Sequence, residues 1–358
     1  MSRKGIKYLL LLGLVALLTI LPLIPGALNT KWMTTITFAT YFAIFVLGWD
    51  ILCGYTGQIS FGHSFFVGAS GYTSALLSLY FKWPIWATIP CGVLASLALG
   101  LLLSVPALRL RGPYFSLITL IMPLIAIKLV LIFSSITGGE LGKSNIPAIP
   151  TPVPPCPSDA GPDVCRALFI QYQQYQYYYA LGLMALVAIA LLIISTSRIG
   201  KILEAIRDNE EAVEAAGINT AKFKILAFGI SSFVVGLGGA FYVHYLETVL
   251  PQEVLSPTRS TEIIIASVLG GMGTIIGPLF GAYAVRLGQE GLREAANHIP
   301  ALQFLNDWAL FIFLALLIVL IFVARQGVLP ALVGAPYLRK LKKFRKLGQQ
   351  SVASKEVS

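Results

Sequence analysis

Residues 197–224 read SRIGKILEAIRDNEEAVEAAGINTAKFK, the longest strongly charged segment in an otherwise apolar chain, with a long apolar run on either side. Ile199, Ile202, Leu203 and Ile206 recur at the spacing of one helix face, while Lys201, Glu204, Arg207 and Asp208 fall elsewhere on the wheel. Asn209 can cap a second short helix, with Glu210 and Glu211 at its positive end and Gly217 to stop it. Two short amphipathic helices between two membrane spans make a feature that a soluble partner can grip.

Composition sets the class of the flanking runs. Hydrophobic residues make up 56% of the chain and charged residues 12%, with a mean hydropathy of +0.79. A soluble domain needs far more polar surface, so the reading is an integral membrane protein, all-α and polytopic. A chain of 358 residues has room for roughly eight to ten spans of about 20 residues each. The formal charge of +10 clusters beside span ends, which is a mark of topology rather than of a nucleic-acid partner.

Working outward toward the N-terminus, spans are expected at 179–196, 113–136, 84–105, 54–80 and 32–52. Arg3, Lys4 and Lys7 precede a further apolar run at 8–24, read as a retained helix in preference to a signal peptide cut near Gly26-Ala27. Toward the C-terminus, spans are expected at 223–245 and 308–323, and the tail at 324–358 turns basic. The run 261–287 is broken by GGMGTIIGP at 270–278.

Orientation follows from Lys and Arg. The N-terminus, the Arg109/Arg111 turn, the charged loop at 197–222 and the tail are all basic, and all are expected in the cytoplasm. Parity then requires 261–287 to cross twice or to form a hairpin turning at 270–273, which gives about ten transmembrane or re-entrant segments. The segment 137–176 falls outside, holds seven of the 20 prolines, and reads as a loop with little regular structure. It runs into QYQQYQYYY at 171–179, whose tyrosines suit a membrane–water boundary. Cys156 and Cys165 lie in it, open to a disulfide in an oxidising compartment or to two free thiols, while Cys53 and Cys91 read as buried thiols.

Two glycine-rich pieces stand out. The first holds Gly57, Gln58, Ser60, Gly62, His63 and Gly68; the second holds Gly271, Gly273, Gly277 and Gly281. Small residues every four positions let helices approach closely in lipid, and the same residues can line a translocation gap that changes width. Composition does not choose between these. Of the ionisable groups in or near spans, Asp50 and Lys128 sit toward helix ends and are expected to snorkel. Glu262 beside Arg259 reads as a boundary pair, and Arg286 is the remaining candidate.

Chemistry of other kinds finds little support. His63, His244 and His298 are scattered without ligand spacing, so no metal is expected. TGGELGKS at 137–144 ends like a nucleotide-binding loop, but three residues rather than four separate Gly138 from Gly142, and Asn145-Ile146-Pro147 cannot open a helix. No nucleophile–base pair or cofactor loop is visible, so no enzyme is expected.

The segment SRIGKILEAIRDNEEAVEAAGINTAKFKILAFGISSFVVGLGGAFY resembles the cytoplasmic signature of the LivM family, permease subunits of ATP-binding-cassette importers for branched-chain amino acids. The likeness extends through GWDILCGYTGQISFGHSFFVGASGYTSALL, LRLRGPYFSLITL, TGGELGKSNIP and EIIIASVLGGMGTIIGPLFGAY, in the family's order. The resemblance implies a heteromeric importer in the cell membrane. In it a periplasmic or extracellular binding protein delivers an aliphatic amino acid to this chain and a second homologous permease. Two cytoplasmic ATPases use ATP and magnesium, and this chain binds no cofactor. It also implies coupling helices between Glu204 and Gly217, where Ala205, Arg207, Asn209, Glu214, Ala215 and Gly217 match the family and Asp208 and Glu210 lie within the same surface. The proline-rich, cysteine-bearing outer loop departs from the family pattern. A related permease for urea or short amides, and a stand-alone carrier or channel, are the alternatives.

Overall fold

The computed structural model describes residues 3–23, 29–107, 113–154, 156–157 and 161–298. The expected span at 308–323, the basic tail and the Arg109/Arg111 turn lie outside the described residues. The helices are α1 (Arg3–Ile20), α2 (Thr30–Thr56), α3 (His63–Tyr80), α4 (Ile85–Ala107), α5 (Pro113–Ile132) and α6 (Pro162–Thr196). They continue with α7 (Arg198–Asp208), α8 (Glu210–Ala215), α9 (Thr220–Leu246), α10 (Pro257–Gly270) and α11 (Ile276–His298). Among the described residues, five helices are long and apolar enough to cross a membrane: α2, α4, α5, α6 and α9. This is the all-α polytopic architecture expected from composition.

The core forms around α2. Asn29 caps it, its side-chain oxygen accepting from the Trp32 N–H at 2.9 Å, and Gly57 ends it in the left-handed conformation at φ 75°. Its sequence is apolar on every face, as a fully surrounded helix must be, and from Ala39 to Thr56 every residue is buried. The helices α6, α9 and α11 pack against it. Gly48 lets α9 approach closely, because a Cβ there would lie 2.5 Å from Val235 Cγ2. By contrast, Leu94, Leu101 and Leu102 on α4 and Ile121, Ile125 and Leu129 on α5 point outward, as lipid-facing side chains do.

Two outcomes bear on the expected topology. The run 261–287 is two helices, with the chain turning between Gly270 and Ile276, the hairpin expected at the glycine-rich break. At 14 residues, α10 is about 21 Å long, short of the roughly 30 Å hydrocarbon core. The segment 137–176, however, is not irregular throughout, for α6 begins at Pro162 rather than near 179. Proline at its first position and Asp163 in its first turn both favour a helix start. The polar Gln/Tyr run hid the helix by suppressing the apolar period. Its side chains are used for anchoring: the Tyr177 hydroxyl donates to Leu18 O at 2.7 Å and Gln176 Nε2 to Ile149 O at 3.1 Å.

The nucleotide-loop look-alike is a turn followed by a short strand, β1 (Lys143–Ser144), paired antiparallel with β2 (Thr248–Val249) just after α9. Lys143 Nζ sits 5.5 Å from the centre of the Tyr80 ring. This clamp marks one end of the molecule. The pair α7–α8 marks the other.

Candidate functional site

The helix pair α7–α8 is built as its sequence pattern requires. Gly200, Leu203 and Ile206 are buried, and α7 packs against α2, α6 and α9. Asn209 closes α7 and caps α8, its Oδ1 accepting from the Ala212 N–H at 3.0 Å. Glu210 pairs with Lys224 and Glu214 accepts from the Thr220 hydroxyl at 2.6 Å, so both carboxylates brace α8 against the start of α9. Gly217, at φ 82°, stops α8 in a conformation that suits glycine. The outer face is left to Lys201, Ala205, Asp208, Glu211 and Ala215, all exposed, with Glu204 half-buried at its edge.

Arg207 turns the other way. Its Nη1 donates to Gly54 O, 2.7 Å away in the last turn of α2. Gly54 in turn lies against the hairpin turn between α10 and α11: a Cβ on it would come within 2.6 Å of Gly273 N and would strike the Asp50 carboxylate. A Cβ on Gly273 would meet Arg207 Nη1 at 2.7 Å and Gly54 O at 2.9 Å, and its φ of 77° again calls for glycine. Gly57, at φ 75°, leaves room for the Arg207 stem, 3.1 Å from where its Cβ would stand. One surface helix, the end of a core helix and the α10–α11 hairpin thus meet at three glycines and one guanidinium.

Asp50 completes the junction and corrects the snorkelling expectation. It is 0% exposed. Its Oδ1 accepts from Gly273 N at 2.7 Å and from Ser267 Oγ at 3.1 Å, while Oδ2 has no partner among the described residues. Burial is tolerated because two donors of the hairpin converge on the carboxylate. The turn also holds Ile275 at φ 65°, a conformation that costs a β-branched residue about 1–3 kcal/mol. A lone Asp inside an apolar span was the visible signal; its target was not.

The remaining glycine-rich positions sit against protein atoms. Ser60 O accepts from Trp49 Nε1 at 2.8 Å, and His63 Nε2 lies 2.8 Å from Ser231 Oγ. A Cβ at Gly62 would lie 2.7 Å from Thr119 O, and one at Gly68 would strike the Leu255 side chain. Gln58 is half-buried, and Gly271, at φ 103°, caps α10. Gly277 rests on Gly270 O and Gly271 O, each 2.5 Å from its would-be Cβ, and Gly281 rests on Ala266 O. The structure therefore brings Gly57 and Gly273 together with Arg207, and uses Gly277 and Gly281 to close the hairpin.

At the opposite end Cys156 is joined to Cys165, their Cα atoms 5.2 Å apart. Lys128 is exposed near the end of α5. Glu262 is more than a boundary partner of Arg259: it also takes Arg286 Nη2 at 2.9 Å from across the hairpin.

The family described as branched-chain amino acid transport system, permease component, matches residues 32–321. The chain belongs to that family. Over 350 residues it is 29% identical to the high-affinity branched-chain amino acid transport system permease protein LivM of Salmonella typhimurium, covering 95% of this chain and 79% of that protein. The LivM protein of Escherichia coli matches to the same extent. A ribose import permease protein, RbsC of Haemophilus influenzae, is 30% identical over 27% of this chain and 32% of its own. No solved structure matches. The family and these relatives are permease components of transport systems.

Proposed function

We propose that this permease is one membrane subunit of an ATP-driven importer for branched-chain amino acids, working with a second permease, two ATPases and a soluble binding protein. The observation that carries the reading is the two-sided build of α7–α8. One face is fixed to α2 and α9, the other is open, and Arg207 connects the pair to Gly54 and the Gly273 turn. The family and the LivM relatives supply the amino-acid cargo.

In this reading the α7–α8 end is cytoplasmic and the disulfide-bearing loop faces outward. ATP-driven closure of the ATPases displaces α7–α8, and the short rigid path through Arg207 hands that displacement to the turn that Asp50 holds. The population shifts only because the ATP-bound partner grips these helices in a different position. Reconstitution in vesicles with the partners is expected to give leucine uptake that needs ATP, the ATPases and the binding protein. Leucine uptake by this chain without the ATPases would overturn the reading.

A sugar cargo is the second reading, favoured by the partial matches to ribose and fructose import permeases over 27% and 26% of the chain. The same vesicles loaded with a ribose receptor decide between the two.

A further inference from the structure

A cavity of about 230 Å³ opens between α2, α9, α10 and α11, from mid-depth of α2 toward the end marked by the disulfide. Its wall holds two arginines. Arg286, near the middle of α11, lies 4.3 Å over the Phe42 ring near the middle of α2, and Arg259 comes from the first turn of α10. A guanidinium at that depth must face protein or a water-filled path, because hydrocarbon cannot accept it.

The wall is short of acceptors. Two guanidiniums offer ten N–H donors between them. Arg259 reaches the Glu262 and Glu253 carboxylates at 3.4 Å each and Glu253 O at 3.3 Å, Arg286 reaches Glu262 at 2.9 Å and Gln289 Oε1 at 3.4 Å, and the Tyr242 hydroxyl takes up Glu253 at 2.6 Å, which leaves half of the ten donors unfilled. Arg286 Nε and Gln289 Nε2, both on residues of this wall, have no acceptor among the described residues. Facing them are Phe38 and Phe45, which offer apolar surface and nothing to hydrogen-bond. Planar donors beside aromatic rings, with the carboxylates of Glu253 and of Glu290, the latter paired with Lys31 at 2.9 Å, on the same cavity, match one kind of small molecule.

We infer that this cavity is a transit site for an apolar α-amino acid in its zwitterionic form. Arg286 and Gln289 take the carboxylate, the aromatic rings take the side chain, and Glu253 and Glu290 favour the ammonium. The inference rests on the importer reading and adds a binding step inside the permease, separate from selection by the soluble receptor.

The test is equilibrium binding of tritiated leucine to the assembled transporter in lipid nanodiscs, without ATP or receptor. Saturable binding is expected, with leucinamide, which lacks the carboxylate, competing about tenfold or more weakly than leucine. Arg286→Lys keeps a cation beside Glu262 but loses the planar fork, and Gln289→Leu leaves both arginines in place. Each is expected to weaken leucine binding about tenfold while the complex elutes intact. Four results would overturn the site: no binding by the parent complex, equal competition by leucinamide, displacement by ribose instead, or parental affinity in both variants. Receptor-stimulated ATP hydrolysis and uptake, measured on the parent complex, report on the importer reading alone, so the two failures are told apart.

Discussion

At the α7 end of α2 a single carboxylate, Asp50, is sealed from solvent and held by two uncharged donors of one hairpin. From the middle of α2 outward, Glu253, Glu262, Arg259 and Arg286 share partly exposed contacts of 2.9 to 3.4 Å around a cavity. The first arrangement fixes geometry: backbones meet at Gly54 and Gly273, and nothing can shift without stranding the carboxylate. The second leaves donors unfilled and space between the groups. A transporter needs both, a stiff joint to receive motion and an adaptable lining where cargo passes.

Substitutions can break this contrast, and the stiff end should give the largest effects. Asp50→Ala leaves Gly273 N–H and Ser267 Oγ buried without their acceptor, at about 1–3 kcal/mol each. The expected outcome is loss of the assembled complex on detergent extraction, seen by size-exclusion chromatography; normal assembly with unchanged melting would refute the joint. Gly277→Leu comes next, since its side chain would run into two backbone carbonyls of the same hairpin. Failure of assembly is expected here too, whereas an intact complex that merely stops uptake would make Gly277 part of the translocation gap.

Arg207→Ala should be milder for the fold and sharper for function. It removes one bond to Gly54 O at a half-open position, and assembly should survive. We expect ATP hydrolysis to continue while uptake per ATP falls about tenfold, the loss of roughly 1.4 kcal/mol of coupling. Unchanged stoichiometry would remove Arg207 from the path. Glu214→Lys and Gly217→Val follow, costing about 1–2 kcal/mol through the lost Thr220 bond and the φ of 82° respectively. Thermal melts of the complex check both. The smallest change is expected for Lys31→Ala at the outer rim, whose partners Glu290 and Glu294 are reached from an open position. Parental melting is expected there.

Much of the fold could be read from residues alone, because apolar runs of span length mark the long helices directly. The hairpin at Gly270–Ile276 was marked by its glycines and Pro278, and the buried face of α7 by its period. What stayed hidden depends on distance in three dimensions. The start of α6 at Pro162 was masked because its tyrosines and glutamines bond to the backbone of α1 and of the outer loop instead of showing an apolar stripe. Asp50 could be recognised as unusual, yet nothing local tells that Gly273, more than two hundred residues away in sequence, supplies its donor. Likewise Glu262 and Arg259 form a visible pair at helical spacing, while Arg286 joins them only through the hairpin.

The account stands most directly on where the open face of α7–α8 points. Asp208, with 75% of its side chain exposed, reports on that face, and its substitution gives up only a 3.4 Å contact with Arg207 Nε. In intact cells, Asp208→Cys should resist a membrane-impermeant maleimide, react after permeabilisation, and lose reactivity when the partner ATPases are bound. Labelling from outside the intact cell would place the handle beyond the reach of any cytosolic ATPase and contradict the account.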